Sequence, residues 1–125
     1  MHTITVKQPF AAWIADGHKT IEHRSWATAY RGPLMITASS SPARCRAEID
    51  NGRTITLPAG CLVCVVDLVD ITGQPGDYQW HLTNPRPVEP LPVKGRLNIW
   101  QYSGPINYLP AGMDWLDYKG DQKNG

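Results

Sequence analysis

A lysine, a glutamate and an arginine crowd into one short stretch of this chain, Gly17-His18-Lys19-Thr20-Ile21-Glu22-His23-Arg24-Ser25-Trp26. Thr20, Glu22 and Arg24 recur at period 2, so a strand turns all three to one face, with Lys19 in the turn at its mouth. Two cations and a carboxylate converging on a small area suit a polar ligand, anionic or heterocyclic. Desolvation of Lys19 against Phe10 or Trp26 would lower its pKa and make it a base or nucleophile. A strong pair with Glu22 would raise that pKa and work against such a role. Arg24 either pairs with Glu22 along the strand face or grips a phosphate bidentately. A solvated strand face is the competing explanation for the whole set.

Other residues extend the candidate site. Lys7, Arg31 and Lys94 offer phosphate contacts, and each equally fits a solvated surface cation. Trp26, Tyr30, Trp80 and Trp100 offer aromatic planes on which a base gains roughly 1–3 kcal/mol by stacking. A domain this small buries most of its tryptophans, so one or two are expected at the site. Ser39 and Ser40 follow an apolar strand and either donate to a substrate carbonyl or cap a helix ahead of Pro42. There is no Ser-His-Asp order, no phosphate-cradling glycine loop and no pair of catalytic aspartates. His2, His18, His23 and His81 lack metal-ligand spacing, so neither a metal nor a cofactor is implied. Cys61-Leu62-Val63-Cys64 has CxxC spacing but lies in an apolar, β-branched run, where residues three apart point to opposite faces and core packing is the expected role.

These residues need elements to position them. Thr3–Val6 reads as a strand, and Pro9 suits the first turn of a helix in which Phe10, Trp13 and Ile14 form a buried stripe. Gly17 supplies a left-handed cap that lets the chain reverse into the Thr20–Trp26 strand. Tyr30-Arg31-Gly32-Pro33 is a loop, Leu34–Ala38 a third strand and Pro42–Ile49 a second helix. Cys61–Ile71 is a central strand buried on both faces apart from Asp67 and Asp70. Thr72–Asp77 reads as a loop and Tyr78–Leu82 as a strand, followed by Asn84-Pro85-Arg86-Pro87. The prolines of Leu91–Lys94 limit it to an edge, and Leu97–Tyr102 closes the pattern. Short strands at close spacing with two or so short helices predict an α+β fold, a small mixed β-barrel.

The chain of 125 residues is long enough for one core and no more. Its 42% hydrophobic content and five tryptophans belong to a globular protein. A formal net charge of +1 excludes binding driven by a whole-molecule basic field, so any nucleic-acid contact must come from a local patch. No run reaches the roughly 18 apolar residues of a membrane helix, and no secretory leader opens the chain, which predicts a soluble cytoplasmic protein. Three cysteines, an odd number, argue against a disulfide framework. Residues 1–103 are expected to form the domain. Residues 104–125 are expected to form a tail whose aromatics (Tyr108, Trp115, Tyr118) pack on the barrel and whose end, Gly120–Gly125, frays.

Lys7-Gln8-Pro9-Phe10, then Gly17-x-Lys19-x-x-Glu22-x-Arg24-Ser25-Trp26, then Tyr30-Arg31-Gly32-Pro33-Leu34 and Ile36-x-Ala38-Ser39 resemble the ASCH domain family. Val65-Val66-Asp67-Leu68-Val69-Asp70, Asn84-Pro85-Arg86-Pro87 and Pro92-Val93-Lys94-Gly95 are similar to small stand-alone bacterial and phage-type members. The resemblance runs from about Met1 to Ser103. It implies a PUA-like pseudo-barrel with a cleft between the first helix and the barrel, lined by the G-x-K-x-x-E-x-R segment. It also implies binding of RNA or of a modified nucleobase. The candidate ligand contacts are then Lys7, Gln8, Arg24, Ser25, Trp26, Tyr30, Arg31, Ser39 and Lys94. Some small relatives are amidohydrolases on 4-acetylcytidine. Their motif lysine is catalytic, with a threonine at the motif's E position and a downstream glutamate. This chain keeps Lys19 and places Glu22 where those relatives have threonine, and no glutamate stands in 72–82. Three classes of function follow: a module binding single-stranded RNA or a modified nucleoside, a small hydrolase (amidohydrolase or ribonuclease) using Lys19 and Glu22, or a protein-interaction module.

Overall fold

The computed structural model describes residues 1–40, 45–48 and 54–110, with backbone alone for 45–48 and 54–56. The first stretch holds β1 (His2–Val6), the helix α1 (Phe10–Ala15), β2 (Ile21–Arg24) and β3 (Gly32–Ala38). A hairpin of β4 (Cys45–Glu48) and β5 (Thr54–Leu57) follows, then β6 (Cys61–Gln74), β7 (Asp77–Pro87) and the two-residue β8 (Trp100–Gln101). Six strands form one sheet in the order β2-β7-β6-β3-β1-β8. Among the described residues only the β1–β3 pair is parallel, and the chain between them carries α1 and β2, as a parallel connection requires.

The sheet curls. β2 and β1 stand four positions apart in strand order, about 19 Å if the sheet were flat. Yet Nη2 of Arg24 on β2 donates to the Thr5 carbonyl of β1 at 2.6 Å. The concave side holds the main core, built around Trp80, Ile4, Leu34, Ile36, Val63, Val66 and Leu68, and α1 plugs it with Ala11, Ala12, Ile14 and Ala15. On the opposite face, Met35, Leu62, Val65 and Val88 pack under Leu91, Val93, Tyr102 and Ile106. This second layer is why Leu34–Ala38 and Cys61–Val66 are buried without interruption. The result is a small PUA-like α+β half-barrel with one short helix among the described residues.

Several expectations are corrected. Phe10 and Trp13 do not form the buried stripe of α1; they are exposed, and the alanines with Ile14 face the core. Small side chains let the helix approach the sheet closely, and two bulky rings would hold it away. The second helix expected at Pro42–Ile49 is absent over Cys45–Glu48, which pairs antiparallel with Thr54–Leu57; the rest of that span lies outside the described residues. Thr72–Asp77 is not a loop: β6 runs on to Gln74, and a two-residue Pro75-Gly76 turn leads directly into β7. The outer half of this ribbon is exposed, so burial of β6 ends near Leu68. A register shift between Ile36 and Thr37 leaves Val63 without a partner, and Cys61 and Cys64 then join the same core cluster instead of diverging. Burial pushes the Cys64 thiol far up, so it is inert. The part of the expected tail beyond residue 110, with Trp115, Tyr118 and Gly120–Gly125, lies outside the described residues. No helix of the described residues is long and apolar enough to cross a membrane.

Asp67 and Arg86 tie β6 to β7 through a fork, with Nη2–Oδ1 at 2.9 Å and Nη1–Oδ2 at 3.2 Å. These bonds, with one from Asn84, hold the Asp67 carboxyl below its ordinary value. A depressed carboxyl stabilises the fold above its unfolded pKa, near 3.9, and loses that contribution as pH falls through the folded value. Arg86→Met is therefore expected to flatten the loss of stability below about pH 4. Urea midpoints from pH 5 downward check this; an unchanged pH profile would mean the fork contributes nothing.

Candidate functional site

Local geometry fixes Lys19 first. Gln8 is buried, its Oε1 accepting from the Ala12 N–H at 3.0 Å and its Nε2 donating to the Pro58 carbonyl at 3.1 Å. The start of α1 is thus tied to the barrel. At the other end Gly17 adopts φ 86°, the left-handed conformation that reverses the chain. The Lys19 N–H then donates to the Trp13 carbonyl at 3.0 Å, setting Lys19 beside the helix. Its Nζ lies 5.6 Å from the Phe10 ring centroid and donates to the Ile21 carbonyl at 2.6 Å.

β2 presents Glu22 and Arg24 to the same side, as the period-2 pattern requires. Glu22 lies between two cations, with Oε1 3.5 Å from Lys19 Nζ and Oε2 3.1 Å from Arg24 Nη2. All three are mostly buried, with side chains 19%, 11% and 19% exposed in the order Lys19, Glu22, Arg24. The carboxylate neutralises one cation and leaves the cluster positive. The buried Nε of Arg24 has no hydrogen-bond partner. Behind the cluster Trp26 meets Trp80 edge-to-face at 4.9 Å, and Trp80 Nε1 donates to the Trp26 carbonyl at 3.1 Å.

These residues floor a cleft of about 810 Å³ between α1, β1, β2 and the 94–98 loop. Lys7, Lys19, Glu22, Arg24, Trp26, Ser39, Ser40 and Lys94 line it, so the structure brings together most of the candidate residues. Four of the candidate ligand contacts stand elsewhere, and neither Trp80, which is buried, nor Trp100 lines the cleft. Gln8 is consumed in anchoring the helix. Ser25 lies outside the lining, its carbonyl accepting from the Gly76 N–H of the ribbon turn. Tyr30 stacks on His2 at 3.6 Å and donates to the Pro33 carbonyl at 2.5 Å. Arg31 donates to the Thr28 and Tyr30 carbonyls and lies 4.0 Å from Asp70.

Sequence reasoning missed Thr5, Phe10, Arg96, Leu97 and Asn98, which also line the cleft. The helical spacing of Phe10, Trp13 and Ile14 assigns Phe10 to the core. Arg96 and Asn98 sit in an aperiodic loop, and the one available signal was a glycine flanked by two basic residues. Gly95 lies so close to β1 that a Cβ there would stand 2.8 Å from Thr5 Cγ2 and 2.9 Å from Thr5 Oγ1. Thr5 is itself held, since its Oγ1 accepts from Trp100 Nε1 at 3.3 Å and from Thr37 Oγ1 at 3.2 Å. That contact brings Lys94 and Arg96 to the cleft, with the Arg96 guanidinium 5.6 Å from the Trp100 ring. The lining therefore carries five cations (Lys7, Lys19, Arg24, Lys94, Arg96) against one carboxylate, Glu22. Such a cleft favours an anion.

The sequence matches the ASCH domain over residues 4–110. It is 28% identical to activating signal cointegrator 1 of Homo sapiens and 27% identical to the protein of that name from Mus musculus. Each alignment spans 131 positions and covers 83% of this chain. The chain spans about 22% of the length of these curated relatives.

Proposed function

Because the chain belongs to the ASCH domain family, we propose that its cleft binds single-stranded RNA, or a modified nucleobase carrying a phosphate. The observation that carries this reading is the concentration of five cations around one carboxylate in a chain whose net charge is only +1. Lys19 and Arg24 are engaged by Glu22, so they set the field of the floor more than they grip a ligand. Lys7, Lys94 and Arg96 are exposed and have no ion-pair partner among the described residues. Three such contacts neutralise about three phosphates, and each contributes about 0.7 to the slope of log affinity against log salt on a single strand.

Titration of a short single-stranded RNA and its matched duplex at several salt concentrations tests the proposal. The expected slope has a magnitude of about 2, with the duplex bound more weakly because its bases are already stacked on one another. Absence of binding at low salt, or a steep slope with preference for duplex, would overturn it. The hydrolase alternative rests on Lys19 and Glu22 alone, since no second carboxylate lines the cleft among the described residues. Incubation with 4-acetylcytidine separates the two: cytidine release that depends on Lys19 would replace binding with catalysis.

A further inference from the structure

Two aromatic rings lie on the surface of a helix that had every reason to bury them. Phe10 is 44% exposed and Trp13 42%, with ring centroids 5.4 Å apart at an interplanar angle of 81°. Hydrocarbon held in water beside a cationic cleft has a cost that folding does not recover, and such surfaces mark contact sites. Phe10 belongs to the cleft lining. So does Leu97, which is 90% exposed in the same loop as Lys94 and Arg96.

The other aromatic rings near the site are committed. Tyr30 lies outside the cleft with His2 stacked on it. Trp26 is half-buried with Trp80 against it. Trp100 lies outside the cleft lining, with its Nε1 tied to Thr5 Oγ1. Phe10 is thus the more exposed of Phe10 and Trp26, the Phe, Tyr and Trp residues that line the cleft. It also sits beside cations, Lys19 among them, which is the combination that holds single strands elsewhere: an apolar plane for the base and charge for the backbone.

We propose that Phe10 is the residue that receives an unpaired base in this cleft. The inference rests on the RNA-binding reading and adds a residue that determines what is bound. A phenyl ring has no hydrogen-bonding group, so it does not distinguish one base from another. It distinguishes a base that is free to leave its stack from one that is paired. Selection for single strands therefore resides in Phe10, and affinity for phosphate resides in Lys7, Lys94 and Arg96.

The test uses a short single-stranded RNA with one fluorescent 2-aminopurine, read by titration and by the fluorescence change on binding, for wild type, Phe10→Ala and Phe10→Trp. Phe10→Ala is expected to weaken binding by about 5- to 150-fold, in line with the loss of one stacked base. It should abolish the fluorescence change and leave the salt slope unaltered, and Phe10→Trp should restore both affinity and signal. Melting temperatures of the variants show that each is folded. Wild-type affinity and signal in Phe10→Ala, with wild type binding RNA, would overturn the role of Phe10 alone. A changed salt slope in Phe10→Ala would also overturn it, because the residue would then act through the cations. Absence of RNA binding by wild type would overturn the underlying reading and this one with it.

Discussion

Glu22→Ala is expected to cost the protein about 3 kcal/mol of stability, the low end of what breaking a buried ion pair costs. The carboxylate holds Lys19 at 3.5 Å and Arg24 at 3.1 Å, and all three side chains are mostly withdrawn from water. Without Glu22 two cations face each other, one held by the Ile21 carbonyl and the other by the Thr5 carbonyl. Arg24 already has a buried Nε with no acceptor, so it has little left to compensate the loss. The Arg24–Thr5 bond also links β2 to β1 across the curl of the sheet, so the damage extends to closure of the half-barrel. Urea denaturation should show a lower midpoint at unchanged slope. Glu22→Gln keeps the shape and one acceptor oxygen and should fall between the two. The same substitutions raise the positive charge of the cleft, so surviving folded protein should bind RNA more tightly at low salt. Loss of stability joined to gain of affinity is a pattern that a merely solvated strand face would not produce. A change in stability below about 0.5 kcal/mol would show that the triad is ordinary surface charge.

The parts of this architecture that depend on neighbours in sequence were legible, and the parts that depend on distant contacts were not. The face shared by Glu22 and Arg24 follows from strand periodicity, and the turn that sets Lys19 follows from Gly17. Both are settled within a few residues. The helix expected at Pro42–Ile49 fits the propensities of Ala, Arg and Glu, but over Cys45–Glu48 backbone pairing with Thr54–Leu57 overrides them. The helical period of α1 is legible in the sequence and its buried face is not. Phe10, Trp13 and Ile14 align at helical spacing, yet the sheet accepts only Ile14 and the alanines. Periodicity alone cannot tell a core stripe from a binding face when both are apolar. The bulge at Val63 reverses the parity on which the reading of Cys61 and Cys64 relied. Arg96 and Asn98 reach the cleft only because Gly95 packs on Thr5, some ninety positions earlier in the chain, and no local pattern records that contact.

Removing both loop cations, Lys94→Ala with Arg96→Ala, is expected to produce, at low salt, the largest loss of RNA affinity of any change outside the floor triad. Each contact on a single strand contributes about 0.7 per decade of salt below a 1 M reference. Two contacts are then worth about 1.4 decades at 0.1 M salt, or about 25-fold, and about 2.8 decades at 0.01 M, or about 600-fold. The salt slope should fall from about 2 to about 0.7, the residue carried by Lys7. Neither side chain is buried, and the Arg96–Trp100 contact is exposed, so stability should drop by no more than about 1 kcal/mol. The effect on binding is therefore separable from the effect on folding. It is also separable from the role of Phe10, which changes affinity without changing the slope. A double variant that keeps the wild-type slope would mean that the phosphates lie against Lys19 and Arg24, and that Glu22 must yield those cations when RNA arrives. In that case Glu22→Gln, by releasing them in advance, would raise affinity even at high salt.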